Sequence, residues 1–277
     1  MIVSVSRRCD IPQHSFDWFM ARLDAGFCEV VNPYNRHQIR RVSLVPRRDN
    51  GTDGVDVLVF WTRNPRHILA HAEELTQRGF PFYVMVTITG YPKELEPSMT
   101  PAAKVCAAVR ELALKTGPER VIWRYDPIFM SSITGADFHR RNFNELAQNL
   151  AGSVKRVIVS LYKEYRWAKQ RIEAHERMGH FQMGQHDAAG IAELLTDMAE
   201  SARAAGMEIQ SCAEEVSLEP YGIRSSACID AALINKLWGL EIKGKDKNQR
   251  PKCLCCQSVD IGSYSSCTSG CVYCYAW

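Results

Sequence analysis

The sequence has no apolar run long enough to cross a membrane. Its longest strongly apolar, uncharged stretch, Gly79 to Pro92, falls short of the ~20 residues that a transmembrane helix needs. The opening MIVSVSRRCD lacks an apolar signal core, which predicts a chain that stays in the cytoplasm. Excess charge is missing too. The 34 lysines and arginines face 31 aspartates and glutamates. A net charge of +3 excludes wholesale neutralisation of a nucleic-acid backbone but leaves room for a local basic patch. No low-complexity segment is visible, nor any repeat of roughly 20 to 50 residues. What is present is the composition of a compact folded protein: 277 residues, 46% hydrophobic and 23% charged.

Short β-branched or aromatic runs recur at Ile2 to Ser6, Val55 to Trp61, Phe82 to Thr89, Arg120 to Tyr125, Arg156 to Tyr162 and Met207 to Ser211. They predict buried strands. Between them lie stretches with helical period, such as Phe16, Phe19, Met20 and Leu23, or Ile68, Leu69, Ala72 and Leu75. Further helices are expected at Pro101 to Lys115, Asp137 to Leu150, Asp187 to Ala205 and Ala227 to Trp238. About six βα units result, and right-handed crossovers then put the helices outside a parallel sheet. The expected fold is α/β, a complete or partial parallel (β/α) barrel over residues 1–242. A basic connector, KGKDKNQRPK, leads into a cysteine-rich tail, and residues 243–277 are expected to pack as part of the same domain.

Several strands run into polar corners: SRRCDIP, FWTRNP, TITGYP, WRYDP and SCAEE. The C-terminal edge of a parallel barrel is where βα loops build active sites. Arg7, Cys9, Asp10, Arg63, Asn64, Arg124, Asp126, Cys212 and Glu214 are therefore expected to converge there. Arginine forms paired hydrogen bonds with carboxylates and phosphates, and carboxylates accept hydroxyl protons. On that ground Asp10, Arg63, Arg124 and Asp126 are candidate catalytic residues, and Arg63 and Asn64 are candidate cofactor contacts. Capping and rim scaffolding are the competing roles. His14, His37 and His67 rank lower. His175, His180 and His186 do not match the compact HExxH zinc arrangement and read as a surface loop.

Eleven cysteines in a chain of this size point away from a secreted disulfide scaffold and toward metal or redox chemistry in a reducing compartment. Six of them, Cys253, Cys255, Cys256, Cys267, Cys271 and Cys274, crowd the last 25 residues. Cys267, Cys271 and Cys274 form a CxxxCxxC motif with Tyr273 before the third cysteine. Three thiolates can hold three irons of a 4Fe-4S cube and leave the fourth without a protein ligand, whereas an electron-transfer cluster normally has four. Cys212, Cys228, Cys253 and Cys255 would complete a second cluster, with Cys256 as the alternative to Cys255. The main competitor is a structural zinc site built from four thiolates of the tail. Cys28 and Cys106 read as small core residues.

The tail resembles the cluster motif of radical S-adenosylmethionine (radical SAM) enzymes, including Tyr273 and the YCYA ending. The longer pattern RPKCLCCQSVDIGSYSSCTSGCVYCYA, preceded by CDIP, WTRNP, WRYDP and CAEE, resembles an uncharacterised family with such a cluster at its C-terminus. That resemblance covers nearly the whole chain. It implies a (β/α) barrel, iron and sulfur as cofactors, S-adenosylmethionine as cosubstrate, a place for Tyr273 beside them, and Cys253 and Cys255 as the second-site pair. Two departures stand out. In radical SAM enzymes the three-cysteine loop normally follows the first strand, so here it must fold back onto the catalytic edge, as in a circular permutation. The glycine-rich GGE segment is absent, and WTRNP occupies a similar strand-to-helix turn.

These readings predict an iron-sulfur enzyme that reductively cleaves S-adenosylmethionine to act on a substrate the sequence does not identify. A reducing partner such as flavodoxin or ferredoxin would supply electrons. The alternatives are a non-catalytic iron-sulfur or zinc module, and a protein that binds or modifies nucleic acid through its basic connector.

Overall fold

A computed structural model describes residues 1–47, 54–184 and 188–276. Strand β1 (Ile2–Val5) leads through the short helix α1 (Ile11–His14) into α2 (Phe16–Ala25), which ends on Gly26 at φ +74°. An antiparallel hairpin follows, β2 (Phe27–Asn32) and β3 (Asn35–Ser43). The chain then alternates: β4 (Val57–Thr62), α3 (Arg66–Gln77), β5 (Phe82–Thr87), α4 (Ala102–Thr116), β6 (Val121–Ile128), α5 (Ala136–Leu150) and β7 (Arg156–Leu161). Two helices, α6 (Arg166–Arg177) and α7 (Ala188–Ala204), precede β8 (Glu208–Cys212). The short β9 (Arg224–Ser226), α8 (Ala231–Trp238) and β10 (Val259–Asp260) complete the elements.

The main sheet has eight strands in the order β10-β1-β4-β5-β6-β7-β8-β9, and every neighbouring pair is parallel. Apart from β10, spatial order follows chain order. That is the winding of a barrel rather than of a doubly wound sheet, whose order reverses at its middle. Among the described residues no pairing joins β9 to β10, so the sheet is a partial barrel and not a closed one.

All six predicted strands form. Their apolar residues split by the two-residue period of a strand. Leu58 and Phe60 join Val84 and Trp123 in the cluster under the outer helices, where the Phe19 ring meets Phe60 edge-on at 5.4 Å. Val57, Val59 and Trp61 instead join Tyr83, Met85, Ile122 and Ile158 on the inner face, which is covered by α8 and by the segment holding Cys253, Cys255 and Cys256. Each such aliphatic or aromatic side chain contributes about 1.5–3 kcal/mol by leaving water. Both faces are therefore apolar, as a parallel sheet requires.

Two features depart from the sequence reading. The β2–β3 hairpin is an insertion between the first two sheet strands. His175 lies in the last turn of α6 rather than in a loop, with its Nδ1 3.0 Å from His180 Nδ1. Only Ala168 and Ile172 are buried on that helix, too thin an apolar stripe to announce it. His186, and Asp187 where a helix was expected to start, lie outside the described residues. Among those residues no helix is long and apolar enough to cross a membrane.

Candidate functional site

Side chains at the C-terminal ends of the strands face a cavity of about 1050 Å³. Thr87 pairs in register with Arg124, which sets an inward row across β5 and β6. The guanidinium carbons of Arg124 and Arg7 lie 4.8 and 5.9 Å from the centre of the Trp61 ring. Asp126 accepts hydrogen bonds from Arg124 and from the Ser160 hydroxyl. Trp61 Nε1, Arg124 Nε and Tyr162 Oη are buried with no hydrogen-bond partner among the described residues, and all three residues line the cavity. Burying a donor without an acceptor costs about 1–3 kcal/mol, so the cavity is prepared for a ligand that presents oxygen or nitrogen acceptors.

Arg63 and Asp10 also line the cavity, and both are tied into contacts within the protein. Asp10 caps α1 by accepting from Gln13 N at 2.9 Å and also accepts from Arg63 N at 2.7 Å, fastening the β1 corner to the β4 corner. Burial pushes its carboxyl up, and those N–H groups offset part of the shift. The Arg63 guanidinium donates to Glu96 at 2.8 Å, to Thr89 at 3.2 Å and to the Tyr273 hydroxyl at 2.6 Å. Tyr273 in turn donates to Glu96. Burial disfavours the Arg63 charge, but Cys271, Glu96 and Tyr273 outweigh it and hold the group well above its ordinary value. The result is a buried latch between the β4 and β5 corners and the cysteine loop. Asn64 Nδ2 donates to Thr100 Oγ1 at 3.2 Å, and the residue is not part of the cavity wall.

Cys267, Cys271 and Cys274 all line the cavity. Arg171 on α6 donates to the carbonyls of Val272, at 3.1 Å, and Cys274. His14 Nε2 lies 2.8 Å from Ser269 Oγ, and Tyr275 donates to the Arg7 carbonyl at 2.7 Å. Upstream, Asp260 accepts from Ser4 Oγ at 2.8 Å, Ser6 Oγ at 2.6 Å and Arg7 N at 2.8 Å. Gly262 is required where the chain crosses β1, because a Cβ there would overlap Ser6 Oγ and crowd Cys9 Sγ. Burial pushes the Cys271 thiol up to about 12, against the pull of Arg63.

The other four candidate thiols meet on the inner face. Cys228 Sγ lies 3.2 Å from Cys212 Sγ. Cys255 accepts from Ile229 N at 3.3 Å, and hydrogen bonds from Cys228 and Cys253 push its thiol below the ordinary value. Cys256 forms no part of the cavity wall, and burial raises its thiol to about 11. Cys28 and Cys106 are core residues, and burial raises both thiols to about 11. All eleven cysteines are free. Among the described residues no group of three or more His, Cys, Asp or Glu side chains is arranged to hold a metal ion.

Sequence reasoning passed over Glu96, Arg171, Asp260 and the contact of His14. Asp260 sits inside the SVDIG stretch of the tail. Glu96 and Arg171 carry no local signal, since their partners come from elsewhere in the chain. A comparison with curated proteins returns no match. Residues 2–276 match the family described as a domain of unknown function, DUF1848; the chain belongs to that family.

Proposed function

We propose that this protein is a cytoplasmic iron-sulfur enzyme of radical SAM type. Cys267, Cys271 and Cys274 would hold a 4Fe-4S cluster with one iron left open for S-adenosylmethionine. Cys212, Cys228, Cys253 and Cys255 would hold a second cluster, fully capped, that relays electrons from a flavodoxin or ferredoxin. Such an open cluster would supply the one-electron reduction by which S-adenosylmethionine is cleaved.

The observation that supports this most is that both thiol groups border one cavity at the C-terminal ends of the strands. The donor chemistry fits: every thiol is free, and cube ligands bind separate irons at separate corners. They therefore need not converge on a single ion.

The chain's own residues do the rest. The Arg63–Glu96–Tyr273 latch and Arg171 hold the three-cysteine loop at the cavity. Arg124, Trp61 and Tyr162 offer donors to the oxygen atoms of a ligand, while Asp126, steadied by Ser160, accepts its hydroxyls.

Anaerobic protein reconstituted with iron and sulfide should bind about four irons per site and form 5′-deoxyadenosine from S-adenosylmethionine under reduction. Protein that binds no iron, or an iron-loaded protein that never consumes S-adenosylmethionine, overturns the proposal.

A further inference from the structure

The mouth of the cavity has a composition that the proposed cofactor chemistry does not account for. Large apolar side chains left exposed include four tyrosines: Tyr34, Tyr165, Tyr264 and Tyr275. All four line this one cavity, although they come from the β2–β3 turn, the start of α6 and two places in the tail. Two of them stand beside a cation. Arg8 lies over the Tyr264 ring at 5.3 Å. Arg250 donates to Tyr165 Oη at 3.4 Å, and Tyr165 tilts against Tyr275 with ring centres 5.3 Å apart. Arg40, on the hairpin that carries Tyr34, is exposed and lines the cavity as well.

Two basic segments contribute to the same cavity, the hairpin through Arg40 and the connector through Arg250. The hairpin, Phe27 to Ser43, has three arginines against one glutamate, and residues 243–252 have five lysines and arginines against one aspartate. Together they hold a surplus of six positive charges in a chain whose net charge is +3. The remainder of the molecule is therefore negative. Segments some two hundred positions apart in sequence thus each place an arginine on one cavity, whose lining carries seven basic side chains, Arg40 and Arg250 among them, against five carboxylates.

Cations alternating with exposed flat rings suit a polymer that alternates phosphates with unstacked bases. An acidic peptide would use the cations but leave the rings unused. A duplex has no free base faces to offer them. Below the rim, Trp61 Nε1, Arg124 Nε and Tyr162 Oη wait for acceptors, which the edge of a nucleobase supplies. We infer that the rim binds single-stranded nucleic acid and directs one base into the cavity. Such a strand is then the substrate class of the radical chemistry. Its role as substrate rests on the radical SAM proposal, whereas its binding stands independently of that proposal.

The test uses full-length protein as isolated, without reductant or S-adenosylmethionine, so that binding and cleavage can fail separately. Fluorescence anisotropy is measured with labelled oligo-U and oligo-dT of about 12 nucleotides; comparing them tells whether the strand is RNA or DNA. Binding should weaken steeply between roughly 50 and 200 mM salt. Tyr34→Ser and Tyr264→Ser should each weaken it by roughly fivefold or more at fixed salt. Arg40→Gln combined with Arg250→Gln should flatten the salt dependence by about 1–2 units of slope. All four positions are exposed, and circular dichroism verifies that the variants fold. No binding, displacement by polyglutamate as readily as by unlabelled strand, or tyrosine variants that bind like wild type would overturn the inference.

Discussion

The two thiol groups face one cavity but are held differently. Cys212, Cys228, Cys253 and Cys255 are set into the inner face of the sheet, packed with Tyr83, Ile122, Ile158 and Ile229. Their positions are as fixed as the core itself. Cys267, Cys271 and Cys274 ride on a loop outside any helix or strand, held by directional contacts: Arg63, Glu96 and Tyr273 on one side, Arg171 and His14 on the others. Packing fixes the first group. The second is fixed by those hydrogen bonds together with the packing of Cys271, Val272 and Tyr273 against Tyr91, Leu95 and Phe129.

Cys271→Ala separates the two groups most strongly. It should abolish 5′-deoxyadenosine formation and remove about four irons while leaving those of the inner group; loss of all iron would mean that the groups assemble as one unit. Next is Cys228→Ala at the centre of the inner quartet. It should remove the other irons and slow turnover without abolishing it, as iron analysis beside single-turnover assays would reveal. Unchanged iron content would confine metal to the loop.

Glu96→Ala probes the latch. Glu96 is 3% exposed and pairs with Arg63, and removing one partner of a buried ion pair typically costs about 3–5 kcal/mol. Urea unfolding should detect that loss, and Tyr273→Phe, which keeps the ion pair, should cost less. Equal stability for Glu96→Ala and wild type would mean that the loop is held by other contacts.

The smallest effect concerns Asp10. Burial raises its carboxyl above the ordinary value of 3.8. Its contribution to stability is therefore complete below about pH 3.8 and is lost as pH rises through the higher value of the folded protein. Asp10→Asn keeps a capping oxygen but has no charge to bury. Relative to this variant, wild type should lose stability as pH rises above about 4. A gain over that range would show that the N–H groups of Arg63 and Gln13 more than compensate for burial.

Much of the frame was legible because a parallel sheet buried on both faces leaves unbroken apolar runs, as at Phe82 to Thr87. The hairpin was not legible, since β3 is exposed over seven of its nine residues and lacks the alternation that marks a half-buried strand. Strands β9 and β10 hold three and two residues, too few to show any period. At the site, cysteine spacing disclosed which thiols to examine, and polar corners disclosed Arg124 and Asp126. Local sequence could not disclose that Arg63 is consumed by Glu96. That choice depends on a loop 33 residues away, and a rim arginine facing a ligand looks identical in sequence to one facing a buried carboxylate.

Strand β10 lies against the outer edge of β1, joined by a hydrogen bond between side chains 256 residues apart. At ~5–20 residues per second, a ribosome takes roughly 13 to 50 seconds to cover that distance. Throughout that interval one flank of a four-residue strand has no neighbour, and unpaired strand flanks recruit other chains. Nascent protein should therefore be most prone to aggregate just before Val259 emerges, and truncations ending there should be the least soluble of any in the final third.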